Sequence, residues 1–323
     1  MSKGIQGGPS RIGGWLTVIL LVGVLSGSLG MVIQCNAANA FGELLQTLLG
    51  LGDNSNLELL NQLNSSWVLS EDYVLEVVTV DGISMEWLQR KNAQPDRVIL
   101  QLHGGAYMRS LKDNGATYRR AALQYAKLSG GAVLTVDYRV APQHPYPAAL
   151  EDAVAAYTWL LDQGYLPEQI IIAGDSAGGG LTLATALYLR DMQMPLPAGL
   201  ITMSAWTNLN YWLWTPAYVG TARADEPYIS PAYGEFHDFP PMLMQVGGAE
   251  RLLADTVVVA EKARDAGVDV QQTTYPGMFH VFQMLFPALP EANAAWDEVK
   301  EFIHELWSSS GIGTGDGSLY HSS

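Results

Sequence analysis

Short, mostly apolar runs recur along the chain at 97–102, 132–136, 169–173, 198–203, 242–246 and 268–275, separated by longer stretches of helical periodicity. A run with little polar alternation reads as a strand buried on both faces, which is the signature of a parallel sheet. The intervening stretches predict helices at 115–129, 147–163, 177–190, 252–266 and 290–307. Strand and helix in alternation give an α/β fold with a mostly parallel central sheet flanked by helices. Ahead of this series, 73–80 alternates apolar with polar, Asp81-Gly82 is a turn dipeptide and 83–89 returns, so an antiparallel hairpin is predicted. Residues 41–68 read as two short helices broken near 50–54, and 309–323 as a Gly/Ser-rich flexible tail.

Composition fits a well-buried globular body, with 48% hydrophobic and 15% charged residues over 323 positions. Acidic residues outnumber basic ones by 32 to 17, and no Lys/Arg cluster interrupts the excess, which argues against nucleic acid as a partner. Cys35 is the single cysteine, so an internal disulfide and a thiolate metal site are excluded. Lys3 and Arg11 precede an uncharged apolar run at 15–33 and then Ala38-Asn39-Ala40, a small-x-small pattern that signal peptidases cleave. Residues 1–40 therefore read as an export signal with the mature chain starting at Phe41, or as an uncleaved membrane anchor of nearly spanning length. Either reading puts the body, 41–308, outside the cytoplasm, secreted, periplasmic or membrane-anchored, with a homodimer left open.

Gly174-Asp175-Ser176-Ala177-Gly178-Gly179 lies between the apolar run at 169–173 and a helix. A serine at such a sharp strand-to-helix turn exposes its hydroxyl above the sheet, and flanking glycines keep the neighbouring backbone close. Acyl transfer by that hydroxyl needs a base, an acid to orient the base and N–H donors for the oxyanion. The N–H of Ala177 opens the helix without an intrahelical acceptor and serves as one donor. His103-Gly104-Gly105-Ala106-Tyr107 follows the strand at 97–102, and Gly104 and Gly105 are the other two donors expected, with His103 shaping the loop. His280 stands in a turn-rich loop after the last strand and is the candidate base. The loop after 242–246 offers Glu250 and Asp255 as the orienting acid, Glu250 being preferred because it lies nearer the strand end. Asp137, Glu151 and Asp152 read as structural hydrogen-bonding groups, and no metal or cofactor is implied.

These residues resemble the hormone-sensitive-lipase-like branch of the α/β-hydrolases, also called bacterial family IV esterases. The resemblance rests on His103-Gly104-Gly105, the stretch from Asp137-Tyr138-Arg139 to Leu150-Glu151-Asp152, Gly174 to Gly179, and Gly277-Met278-Phe279-His280-Val281-Phe282. Within the branch, 247–255 and 279–282 look most like the monoterpene lactone hydrolase and acetyl esterase group. The resemblance implies Ser176 as nucleophile, His280 as base, Glu250 as acid, and Gly104, Gly105 and Ala177 as the oxyanion hole of a serine hydrolase of short to medium acyl esters or lactones. It departs from the family at Ala106, where many members carry a third glycine and where a methyl group narrows the acyl side. It departs again at Glu250-Arg251-Leu252, where many have Asp-Pro-Leu. Family members cap the site with N-terminal helices and a segment after the sixth strand, here 41–68 and 204–239. Tyr107, Met108, Trp206 and Tyr211 are the expected substrate wall, unless the rings merely pack cap onto core. A non-catalytic small-molecule-binding protein on the same fold, like the plant gibberellin receptors that lack a working base, is the alternative that His280 opposes. An exported peptidase is the other.

Overall fold

A computed structural model describes residues 69–309, apart from 94 and 211–216. The expected leader, the helices at 41–68, Tyr211 and the tail lie outside the described residues. The hairpin forms as β1 (Tyr73–Val80) and β2 (Ile83–Arg90), closed by Asp81 and Gly82, both at positive φ. The chain continues through β3 (Val98–Leu102), α1 (Leu111–Ser129), β4 (Ala132–Val136), α2 (Ala148–Asp162), β5 (Ile170–Asp175) and α3 (Ser176–Asp191). It closes with β6 (Gly199–Met203), β7 (Met242–Gly247), α4 (Leu253–Asp265), β8 (Val270–Tyr275), α5 (Phe282–Leu285) and α6 (Pro290–Ser309). The strands make one sheet in the order β1-β2-β4-β3-β5-β6-β7-β8. It is parallel from β4 to β8, and β2 runs antiparallel to both its neighbours.

The uninterrupted apolar runs are explained by two-sided burial, because every residue of β3, β4, β5, β6 and β7 is buried. Side chains alternate between two cores, as the strand period requires. Val98, Leu100, Ile170 and Ile172 face α2, α3 and α4, whereas Ile99, Val133, Ile171 and Ile201 face α1 and α6. The edge strand β8 keeps its Gln and Thr residues partly in solvent.

Two boundaries depart from the pattern for local reasons. Helix α1 begins at Leu111 rather than 115, because Asp113 accepts the Ser110 N–H at 2.9 Å and Asp137 accepts the Leu111 N–H at 2.7 Å. Strand β8 begins at Val270 rather than 268. Gly267, at φ +86°, ends α4 in a left-handed turn, with its N–H on Arg264 O and the Val268 N–H on Ala263 O, so Val268 belongs to the helix cap.

Of the segment 204–239, the described part packs on α3 and α4. Tyr218, Val219, Ile229, Phe236 and Phe239 enter the core on that face. Lys262 Nζ donates to the carbonyls of Ala232 and Gly234 at 3.0 and 2.7 Å. Among the described residues no helix is long and apolar enough to cross a membrane, and no three His, Cys, Asp or Glu side chains cluster as metal ligands.

Candidate active site

Every loop of interest leaves the sheet at the carboxyl ends of its parallel strands, the edge at which such folds assemble ligand sites. Between β5 and α3, Ser176 sits at φ +51°, a left-handed conformation costly for a residue with a Cβ. The crossing beneath it is tight. A Cβ on Gly174 would lie 2.3 Å from Gly178 O, and one on Gly178 would lie 2.1 Å from Leu102 O. These contacts are the reason for glycine at both positions.

His280 arrives from the loop after β8 and brings Nε2 to 3.0 Å from Ser176 Oγ. That loop is laced to the one after β7, since Gly248 N–H donates to Tyr275 O at 2.7 Å and Ala249 N–H to Met278 O at 2.9 Å. The lacing carries Glu250 to the far side of the imidazole. Its side chain is 2% exposed, and Oε2 stands 3.6 Å from His280 Nδ1, facing it but beyond hydrogen-bond length. Ser204 Oγ donates to the same carboxylate oxygen at 2.9 Å. Asp255, the competing acid, is engaged elsewhere: its Oδ2 accepts the N–H groups of Thr207 and Asn208, each at 2.8 Å. It anchors the chain after β6.

The loop after β3 corrects one expectation. Gly104 is no oxyanion donor, because its N–H is already spent on Tyr118 Oη at 2.8 Å and Asp175 Oδ1 at 3.1 Å. It is glycine for another reason: a Cβ there would fall 2.4 Å from Asp175 Oδ2. Beyond it Gly105, Ala106 and Tyr107 all take positive φ, at 118, 55 and 58°, and curl the chain until Gly105 O accepts the N–H groups of Met108 and Arg109. The N–H groups of Gly105 and Ala106 donate to no protein group among the described residues. His103 shapes the loop as expected. It is fully buried, its Nδ1–H donates to Gly104 O at 2.7 Å, and its ring stacks on Tyr138 at 4.0 Å. Burial holds its pKa down at about 4, so it stays a neutral imidazole.

Two residues of the expected substrate wall are packing groups instead. Tyr107 is 1% exposed and stacks on Tyr218 with ring centroids 3.7 Å apart; Trp206 is 5% exposed, its backbone N–H on Ser176 O and its indole N–H on Asn208 O. Bulk of this kind beside the serine fills space rather than opening it. Met108, the third described member of that wall, is 48% exposed. Sequence reasoning passed over Tyr118, Asp175 and Ser204. Tyr118 carries no motif and meets Asp175 only because α1 crosses that end of the sheet, donating to Oδ2 at 3.2 Å. Burial lifts the Asp175 carboxyl from its ordinary 3.8 to about 6, against the pull of His280, the Gly104 N–H and the Tyr118 hydroxyl. Ser204 could have been flagged by its place just beyond β6.

The chain matches the family model described as alpha/beta hydrolase fold over residues 99–215 and 207–284. An acetyl-hydrolase of Streptomyces hygroscopicus is 36% identical over 248 residues, covering 71% of this chain and 82% of that protein. An esterase of Acinetobacter venetianus is 30% identical over 279 residues, covering 80% and 91%. Among solved structures, an esterase from the bacterial hormone-sensitive lipase family superposes with a TM-score of 0.73 at 32% identity, covering 88% of this chain and all of that one. The esterase EstE5, in crystals soaked with p-nitrophenyl butyrate, superposes with a TM-score of 0.70 at 36% identity, covering 78% and 92%. With this fold and these relatives, the chain belongs to the α/β-hydrolase family, in its bacterial hormone-sensitive-lipase-like branch, and is a carboxylesterase-type serine hydrolase.

Proposed function

We propose that Ser176, His280 and Glu250 form the catalytic triad, and that the substrates are esters or lactones with short to medium apolar acyl groups. The observation that carries this is the 3.0 Å contact between His280 Nε2 and Ser176 Oγ, which joins residues 104 positions apart at the carboxyl edge of the sheet. In the first half-reaction His280 Nε2 takes the hydroxyl proton as Ser176 Oγ attacks the carbonyl carbon. The carbonyl oxygen becomes negative, and the unspent N–H groups of Gly105, Ala106 and Ala177 are the donors available to it. His280 returns the proton to the departing alkoxide, and the acyl group stays on Ser176. Water then repeats the sequence with the acyl-enzyme as electrophile. Glu250 holds the imidazole with Nδ1–H toward itself, which leaves Nε2 unprotonated and facing the serine.

The filled space around Tyr107, Tyr218 and Trp206 supports a short acyl limit, and the exposed Met108 supports an apolar approach. The sequence pattern of 41–68 and Tyr211 fits a cap in this reading, and the leader pattern at 1–40 supports work outside the cytoplasm. The test is turnover of p-nitrophenyl esters from acetate to palmitate by the chain from Phe41 onward, alongside Ser176→Ala. Turnover is expected to peak at short chains and to fall by about 10⁴-fold or more in the variant. Wild-type rates in a folded Ser176→Ala protein would refute the triad, and a maximum at palmitate would refute the acyl range.

A further inference from the structure

Ser204 directly follows β6, the strand that separates β5, which leads to Ser176, from β7, which leads to Glu250. It is fully buried, yet held at φ +52° although it carries a Cβ, so the surrounding structure sustains a conformation the residue itself disfavours. Its N–H donates to Gln245 O at 2.7 Å, which pins it to β7. The hydroxyl has two partners. Oγ accepts the N–H of Val281, the residue after His280, at 3.1 Å, and its own proton goes to Glu250 Oε2 at 2.9 Å. A backbone N–H only donates, so the hydroxyl accepts from Val281 and turns its own proton to the carboxylate oxygen. One oxygen atom thus ties the acid's side chain to the backbone of the base. No other described side chain does so, and Glu250 Oε1 is buried with no hydrogen-bond partner. Val281, at φ +52°, is a second strained residue at the same junction.

The geometry points to Ser204 as a positioning residue for the His280–Glu250 pair: its hydroxyl sets the span from carboxylate to imidazole and thereby the aim of His280 Nε2 at Ser176. This rests on the proposed triad. A hydroxyl touching neither substrate nor the reacting atoms acts only through the pair, so its loss should lower kcat and leave KM nearly unchanged. A misplacement of about 1 Å at a reacting group costs on the order of 10²-fold in rate, so a loss of about 10- to 100-fold is expected.

The experiment uses the chain from Phe41 with p-nitrophenyl butyrate and compares Ser204→Ala, Ser204→Gly, Glu250→Gln, Ser176→Ala and the double variant Ser204→Ala/Glu250→Gln. Ser204→Gly removes the hydroxyl while suiting the left-handed backbone, so it provides a folded protein should Ser204→Ala not fold. Both single variants at 204 are expected to lose about 10- to 100-fold in kcat with KM within about twofold. Adding Ser204→Ala to Glu250→Gln should cost less than about twofold further, since the hydroxyl acts through the carboxylate. Wild-type kcat in a folded Ser204→Gly protein, or full additivity in the double variant, would overturn the proposal. A Ser176→Ala protein that still turns over would instead overturn the triad, so the two failures are told apart.

Discussion

Replacing Asp175 by asparagine should change stability with a sign that depends on pH. Asp175 is 5% exposed, and burial lifts its carboxyl from 3.8 to about 6. At 1.36 kcal/mol per pH unit the gap corresponds to about 3 kcal/mol. Between those two values the folded chain holds a proton that the unfolded chain has released. Proton binding therefore contributes stability that is fully present below pH 3.8 and lost as pH rises through 6. An asparagine has no such dependence. Its oxygen can still accept the Gly104 N–H, and its amide nitrogen can donate to Tyr118 Oη, but the Tyr118 O–H then loses its acceptor at a cost of about 1–3 kcal/mol. Asp175→Asn is thus expected to be less stable than wild type at pH 4 and equal to it or more stable at pH 8. The swing is about 2–3 kcal/mol, or about 3–5 °C in Tm for a chain of this size. Intrinsic fluorescence from the nine tryptophans follows unfolding of both proteins across this range at fixed ionic strength, and groups unaffected by the substitution cancel in the difference. A Tm difference that is the same at pH 4 and pH 8 would refute the reasoning, because the folded carboxyl would then titrate as an unfolded one does.

Two further substitutions probe the frame that carries the site. Gly178→Ala places a Cβ 2.1 Å from Leu102 O, so β3 and α3 must part; a loss of about 3 kcal/mol is expected in urea unfolding, and a loss under about 1 kcal/mol would mean that the crossing yields. Arg139→Met removes the guanidinium that pairs at 2.7 Å with Asp152, whose side chain is 1% exposed, and leaves a buried carboxylate held only by the Arg139 backbone N–H. Thermal unfolding should show a cost of about 3–5 kcal/mol, and an unchanged Tm would contradict it.

The sheet was legible because two-sided burial leaves a plain mark: β4 coincides with the apolar run 132–136, and β1 with the alternating run 73–80. Helix starts were less legible where a side chain distant in sequence does the capping, as Asp137 does for Leu111 across 26 positions. Residue types pointed to Ser176 and His280 because the serine's glycine-flanked turn and the late histidine are chain-order features. That the Gly104 N–H is already engaged was hidden for a different reason. Which N–H groups point inward depends on the signs of φ at 105, 106 and 107, and on whether Tyr118 and Asp175 have already claimed the donor at 104. Neither is a property of the local sequence. Ser204 escaped notice likewise, since its role exists only once β6 lies between β5 and β7.

Of the nine non-glycine residues at positive φ among the described residues, Asp81, Asn92, Gln193 and Asp238 lie in separate turns, and the other five gather at one edge of the sheet. Ala106 and Tyr107 follow β3, Ser176 follows β5, Ser204 follows β6 and Val281 follows β8, all at positive φ and all at the edge where the site is built. Left-handed backbone costs a residue with a Cβ about 1–2 kcal/mol. Five such residues in one region persist only because contacts elsewhere outweigh them: the buried strands beneath, Asp175 and Tyr118 under the β3 loop, Asp255 holding the Thr207 and Asn208 N–H groups, and the lacing of the β7 and β8 loops. The strain has a geometric return. A left-handed residue reverses the chain within one position, so it can turn a hydroxyl or an N–H sharply off the strand axis without a long, mobile loop. Glycine would take the same turns without strain, and at 105 the chain uses it. At 176 and 204 the Cβ carries the hydroxyl that the proposed mechanism uses, so glycine could not serve there. Strain at those two positions is therefore the cost of placing side-chain oxygens, rather than backbone alone, at the reacting edge.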